Sequence, residues 1–415
     1  MFVFNDDQND STGREQGVNE NEGSSTATPA FSFARTPTAN ISPHIVRTIQ
    51  EDHPLVKFQP LPPPTGPQPY HLSLEQVVPD VVPAINAAGR LVFHIVGDTG
   101  GVKAPQPQTI VAMHMLKDCE GADATKQPAF FYHLGDVVYN NGEQSKYYDQ
   151  FYDPYGYYPR PIFAIPGNHD GDPIDDTVPS LDAFVANFCS PTPVVRKEAG
   201  EHQRNTMIQP NVYWTLDAPF ATIVGLYTNV PEGGEVHDDQ AEWFAAELAN
   251  APTEKALIVA LHHPIYSADK FHSGSDPMGQ LLERAMEKAG RMPDAVFTGH
   301  VHNYQRFTRH LNGRDIPFIV AGAGGYWHLH YVVNGPDGNK LQTPYELPEL
   351  ETTLESYCDD HHGYMRLEVT THTLKGEYFA VPRPQDSWQA PAELIDSFTL
   401  DLTSHKLVQA PESVK

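Results

Sequence analysis

LVFHIVGDTGG, residues 91–101, decides how this chain is read. The run LVFHIV is too short for a helix and too continuously apolar for a strand with one wet face. It predicts a strand buried on both sides, as in a parallel sheet. Gly97 ends it, and Asp98 follows. The same pattern recurs four times. AFFYHLG (129–135) runs into Asp136, with Tyr139 three residues on. IFAIPG (162–167) runs into Asn168-His169-Asp170. KALIVAL (255–261) runs into His262-His263, and DAVFTG (294–299) into His300 with His302 two on. Ligands of open α/β sheets bind beyond the carboxyl ends of the strands. Five such ends presenting Asp, Asp, Asn, His and His predict one polar crevice.

Between these strands the pattern turns helical near 107–119, 180–189 and 278–290, the last ending at Gly290. A further helix, AEWFAAELAN, is expected to be capped by Asp238-Asp239. NVYWTLD and ATIVGLY (211–217 and 221–227) read as a hairpin pair. Asn312-Gly313 marks another hairpin, and GYMRLEVTT, KGEYFAV and SFTLDL read as late strands. Alternation first and extra strands later predict one α/β domain with two packed sheets. The N-terminal region differs. Residues 5–28 are polar and acidic without apolar periodicity, which predicts disorder. Residues 54–69 hold seven prolines, a stiff linker or surface strap. Residues 70–87 read as a segment docked on the following domain. The expected division is an arm over 1–88 and a catalytic domain over 89–404.

The chain carries 27 Lys plus Arg against 53 Asp plus Glu, a formal charge of −26. That balance argues against nucleic acid and against anionic membrane surfaces as partners. Cys119, Cys189 and Cys358 are an odd number, widely spaced, and point to a reducing compartment. MFVFNDDQND shows no basic n-region and no long apolar stretch, so the expectation is cytoplasmic; non-classical export leaves no readable mark.

Carboxylate and amide oxygen with imidazole nitrogen suit divalent and trivalent first-row metals, and no cysteine takes part. Asp98, Asp136, Tyr139, Asn168, His262, His300 and His302 exceed one tetrahedral site. They suit two ions with a bridging carboxylate, which at roughly 3.5–4 Å clamp a displacement at phosphorus. The glycines before Asp98, Asp136, Asn168 and His300 are expected to permit the tight turns. His94 and His133 read as core or support. Asp170 reads as orienting His169 or capping a turn, and His263 as support or surface. His328 and His330 read as satisfied or exposed histidines at the crevice rim. Asp359-Asp360-His361-His362 reads as a polar loop, and Gly322, Gly324 and Gly325 as close backbone approach beside the crevice.

The joint set GDTGG, GDVVY, GNHD, HHPIY and GHVHNYQR resembles the metallophosphoesterases and, more narrowly, the purple acid phosphatases. Asp98-Thr99-Gly100, where many relatives have Asp-x-His, and Tyr139 favour that branch. The resemblance covers about residues 91–330 and implies a two-sheet α/β/β/α sandwich. It implies Fe3+ held by Asp98, Tyr139 and His302. A divalent ion (Fe2+, Zn2+ or Mn2+) would be held by Asn168, His262 and His300, with Asp136 bridging. It implies that His169 contacts phosphate. It also implies that His272, ten residues after His262, contacts substrate or protonates the leaving group. The family's plant-type members carry an N-terminal β-sandwich, where this chain has the polar, Pro-rich arm.

The expected function is hydrolysis of small phosphate monoesters by a metal-held hydroxide. Two rivals stand beside it: a phosphodiesterase acting on cyclic nucleotides or phospholipid headgroups with the same metal core, and an interaction scaffold binding a protein partner through the arm.

Overall fold

The computed structural model describes residues 57–408 apart from residues 122 and 176. The polar segment over 5–28 and the start of the Pro-rich stretch lie outside these. In chain order the strands are β1 (His71–Ser73), β2 (Leu91–Val96), β3 (Phe131–His133), β4 (Ile162–Ala164), β5 (Trp214–Ala218), β6 (Ala221–Gly225), β7 (Ala256–Leu261) and β8 (Ala295–Thr298). They continue with β9 (Tyr304–Leu311), β10 (Arg314–Ala321), β11 (Tyr345–Leu347), β12 (Thr352–Cys358), β13 (Gly363–Val369), β14 (Thr373–Ala380), β15 (Glu393–Asp401) and β16 (Lys406–Leu407).

These build two sheets, one ordered β1-β5-β6-β7-β8-β10-β9-β12-β11 and the other β16-β15-β14-β13-β2-β3-β4. Strands β2, β3 and β4 run parallel in the second sheet, and β6, β7 and β8 run parallel in the first. All residues of β2, β3, β4, β7 and β8 are buried, as their unbroken apolar runs require. By contrast β14 alternates buried and half-buried residues, the mark of a sheet face turned outward.

The sheets meet through large side chains. Trp214 of β5 stacks on Tyr132 of β3 with ring centroids 6.0 Å apart, and Tyr304 of β9 stacks on Tyr378 of β14 at 4.0 Å. Arg306 of β9 grips Asp396 of β15 through two hydrogen bonds of 2.7 and 3.0 Å. The helix Gln106–Cys119 covers β13, and the helix Asp238–Asn250 lies over the other sheet at β6 with the helix Asp276–Ala289 packed against it. The two-sheet α/β architecture is therefore the one the sequence predicts.

Local signals are followed with small shifts. The Asn312-Gly313 turn joins β9 to β10 with both residues at positive φ, and Gly290 caps its helix in the left-handed conformation. The cap of Asp238–Asn250 is His237, whose Nδ1 accepts from the Asp239 N–H; Asp238 and Asp239 occupy the first turn instead. The expected boundary at residue 88 falls inside the packed body. β1 pairs in parallel with β5, and the preceding strap is tied down. Gln59 N–H donates to Asn229 Oδ1, Asn229 Nδ2 donates to the Gln59 carbonyl, and Thr65 and Gly66 N–H both donate to the Pro210 carbonyl. No helix among the described residues is long and apolar enough to cross a membrane.

Candidate metal centre

The parallel strands of both sheets deliver their carboxyl ends to one crevice. Asp98 follows β2, Asp136 follows β3 and Asn168 follows β4; His262 follows β7 and His300 follows β8. Asp98, Asp136 and His300 adopt left-handed backbone (φ 58°, 54° and 66°), which turns the chain sharply at the end of each strand. The turns are thus made mainly by the donors themselves. Of the four glycines expected to make them, only Gly135 has positive φ. Gly167 and Gly299 serve close approach: a Cβ at Gly167 would lie 2.1 Å from Asp136 Oδ1, and one at Gly299 2.6 Å from Asp98 Oδ2. Gly322 and Gly324 do the same beneath the crevice, against the Val301 and Gly97 carbonyls.

All seven expected donors are brought together, and all are buried. They fall into two groups. In one, Tyr139 Oη lies 3.2 Å from both Asp98 Oδ1 and His302 Nε2, and His302 Nε2 lies 3.6 Å from Asp98 Oδ1. In the other, Asn168 Oδ1 lies 3.1 Å from His262 Nε2 and from His300 Nδ1. Asp136 Oδ2 stands 3.4 Å from His262 Nε2 while its Oδ1 accepts from the His169 N–H. Asp98, Asp136 and His262 place ligand atoms within 4.8 Å of one another.

The electrostatics favour a cation here. No lysine or arginine pairs with Asp98 or Asp136 among the described residues; their ion-pair partners are His302 and His262. Burial, reinforced by the Asp136 carboxylate, drives Asp98 well above the ordinary carboxylate range. Burial would lift Asp136 too, but the His262 and His169 imidazoles outweigh it and hold it low. The His262 imidazole is pushed up to about 9 because Asp136 overcomes its burial, whereas burial and His272 press His300 down to about 4. Burial, then the two carboxylates, raises the Tyr139 phenol. A protein that buries two carboxylates and a phenol within hydrogen-bond reach needs positive charge among them; a bound ion would reverse the preferences of Asp98, His262 and Tyr139 and reinforce those of Asp136 and His300. The imidazoles are set for that role. His262 Nδ1–H donates to the Leu134 carbonyl (2.8 Å) and His302 Nδ1–H to the His328 carbonyl (3.2 Å), leaving both Nε2 lone pairs toward the crevice.

The flanking residues refine the reading. His169 is half-buried, packs its ring 4.5 Å from that of Tyr139, and its Nδ1–H donates to the Asn140 carbonyl. Asp170 does not orient it. The Asp170 carboxylate accepts from the N–H groups of Val137, Val138 and Gly167, locking the Asn168 loop to the Asp136 loop. His272 reaches the crevice: its ring lies 4.6 Å from that of His300. His94 is core, bonded to Tyr158 and Asp118, and His133 is buried against Thr99. His263 bonds Thr228. His330 is buried, with its ring 4.4 Å from that of His302, so it belongs to the crevice wall. Asp359 and Asp360 pair with Lys340 and Arg383, as a polar loop would.

Three contributors carry no sequence signal. Gln150 clamps Tyr139 by accepting from its N–H and donating to its carbonyl, both at 2.8 Å. Tyr326 packs 4.4 Å from both Tyr139 and His302. Glu232 stands 3.0 Å from His272 and 3.5 Å from His300.

Comparison with known proteins agrees with this geometry. The family model described as calcineurin-like phosphoesterase matches residues 91–304. The chain is similar to purple acid phosphatase 21 of Arabidopsis thaliana, 26% identical over 251 residues, covering 59% of this chain and 51% of that protein. It is also similar to purple acid phosphatase 1 of Ipomoea batatas, 23% identical over 321 residues, covering 73% and 61%. The chain spans between 28% and 61% of the length of curated relatives such as these, about half in the case of purple acid phosphatase 21. In fold it resembles the purple acid phosphatase PPD1 of yellow lupin (TM-score 0.53, 20% identity, 75% of this chain and 54% of that one). It also resembles GAP50, the anchor in the inner membrane complex of Plasmodium (TM-score 0.51, 14% identity, 78% and 98%). With the family model covering more than half of its length, the chain belongs to the calcineurin-like phosphoesterase family.

Proposed function

We propose that this chain is a dinuclear metal-dependent phosphoesterase that hydrolyses small phosphate monoesters. The observation that carries the reading is the division of seven buried donors into two groups, with Asp136 beside both carboxylate and imidazole neighbours. In this proposal Asp98, Tyr139 and His302 hold Fe3+, and Asn168, His262 and His300 hold Fe2+, Zn2+ or Mn2+, with Asp136 bridging. When bound, such a pair acidifies water and neutralises phosphoryl charge.

The protein's own groups supply the rest. Leu134 and His328 carbonyls fix the tautomers of His262 and His302. With Nδ1–H given to the Asn140 carbonyl, His169 turns Nε2 toward a phosphoryl oxygen, and there the imidazolium form, protonated on both nitrogens, would donate and stabilise developing charge. His272 gives its proton from Nε2 to the leaving oxygen, its Nδ1 being engaged by Glu232. Cytoplasmic placement belongs to the same proposal and is supported by three cysteines that are all unpaired.

The test is a paired assay of the metal-loaded full chain with p-nitrophenyl phosphate and bis(p-nitrophenyl) phosphate, with Asp136→Asn as control. Turnover of the monoester that disappears in the control is expected. Turnover of the diester alone would replace the proposal with a phosphodiesterase, and no turnover by protein holding two metals would reject it.

A further inference from the structure

We infer that Glu232 is a positioning residue that sets the proton positions of two histidines at once, His300 and His272. This rests on the phosphoesterase reading above. Glu232 lies on the loop between β6 and the helix Asp238–Asn250, away from every strand-end motif. Its Oε1 is 3.0 Å from His272 Nδ1 and 3.5 Å from His300 Nε2.

The two ring nitrogens of His300 face different worlds. Nδ1 lies 3.1 Å from Asn168 Oδ1, inside the donor set. Nε2 is buried and has no hydrogen-bond partner among the described residues, with the Glu232 carboxylate just beyond bonding distance. A neutral imidazole carries one proton. If Nδ1 is to offer its lone pair to a cation, the proton must sit on Nε2, and Glu232 is the acceptor placed to receive it. His262 and His302 solve the same problem with backbone carbonyls; His300 has a carboxylate instead. Metal-bound histidines backed by a carboxylate are fixed in ring orientation and made more basic.

At His272 the same oxygen engages Nδ1, which leaves Nε2 for the substrate. The Asp269 carboxylate accepts from the His272 N–H at 2.9 Å, so backbone and ring are held from two sides. One carboxylate thereby ties a donor of the centre to the group that hands over the proton.

The loop is braced for this task. Asn229 exchanges two hydrogen bonds with Gln59 of the N-terminal strap, the Glu235 N–H donates to the Thr228 carbonyl, and Ser275 Oγ donates to the Gly233 carbonyl. A cation held by Glu232, His272 and His300 is the rival reading, since their ligand atoms lie within 4.8 Å of one another. It would require His300 to give up both nitrogens to metals. The 3.0 Å contact at His272 is already an ordinary hydrogen bond.

The experiment uses the full chain and its Glu232→Ala and Glu232→Asp variants. Zinc stoichiometry and affinity are measured by chelator competition. kcat and KM are measured with p-nitrophenyl phosphate, a good leaving group, and glycerol phosphate, a poor one. The expected result is that Glu232→Ala binds its weaker zinc about 10- to 100-fold less tightly. Its kcat should fall about tenfold further on glycerol phosphate than on p-nitrophenyl phosphate, because proton donation matters more for the poorer leaving group. Glu232→Asp should recover part of both. Unchanged zinc affinity with equal loss on the two esters overturns the inference, as does a third zinc equivalent that disappears in Glu232→Ala. If the wild type cleaves neither ester, the phosphoesterase reading fails, and the zinc titration still decides whether Glu232 supports His300.

Discussion

Replacing Asp170 tests how the centre is held together. Its carboxylate accepts three buried backbone N–H groups: Val137 at 3.1 Å to both oxygens, Val138 at 3.1 Å and Gly167 at 2.9 Å. These belong to two loops, one carrying Asp136 and Tyr139, the other Asn168 and His169. Asp170→Ala leaves three buried donors without an acceptor, at about 1–3 kcal/mol each, so the expected destabilisation is at least about 3 kcal/mol. Asp170→Asn keeps one oxygen for Val137 and Val138 but turns an NH2 toward the Gly167 N–H. It should lose about 1–3 kcal/mol. Urea unfolding of both variants without metal reads the stability term, and metal content after reloading reads the geometry. Because the loops separate, Asp170→Ala should also hold metal more weakly even where it is folded. If the alanine variant unfolds within about 0.5 kcal/mol of wild type and reloads fully, the three hydrogen bonds are not what joins the loops.

Gln150→Leu removes both hydrogen bonds to the Tyr139 backbone and should cost about 2–6 kcal/mol in urea unfolding, two buried groups being left unpaired; an unshifted midpoint would contradict the clamp. Tyr139→Phe in iron-loaded protein should abolish any visible tyrosinate charge-transfer band, and a spectrum that survives would remove Tyr139 from the ligand set. His71 on β1 is gripped by Asp217 and Glu247, which push its imidazole up to about 10 against the opposing effect of burial. The folded value exceeds the ordinary 6.5, so the stabilisation is complete below pH 6.5 and fades as pH rises toward 10. His71 is partly exposed, so its loss in His71→Gln should amount to at most about 1 kcal/mol at pH 6 and vanish near pH 10. A difference that stays constant with pH would refute this.

Much of the centre was legible because strand and donor are adjacent in sequence. A run such as KALIVAL declares a buried strand, and the next residue, His262, then lies at its carboxyl end. Five repetitions were enough to place all seven donors in one crevice. Glu232 was not legible, since TNVPEGG is an ordinary turn-rich loop. Its role appears only when that loop folds over His272 and His300, far along the chain. Gln150 was hidden for the same reason, its partner being a backbone rather than a motif. β1 was hidden differently. Three residues beside Pro69 carry too little periodicity to announce a strand, and the pairing with β5 comes from tertiary docking. Asp170 sat inside a recognised motif with two readings open, orienting His169 or capping a turn; it binds backbone N–H groups of its own turn and of the Asp136 loop, and spacing alone does not say which N–H groups a carboxylate will find.

Asp98, Asp136 and His300 bend the chain as well as bearing its donors. That double duty shapes how such a centre would decay. In a lineage that no longer needed the chemistry, Asn168, His262 and His302, which sit on ordinary backbone, would be free to drift across many residue types. Positions 98, 136 and 300 would not, because folding would still demand a residue tolerant of left-handed φ, and substitution there would be funnelled toward glycine or asparagine. A lost active site of this design would therefore erode unevenly, and the unevenness would remain readable as a fossil of the metals it once held.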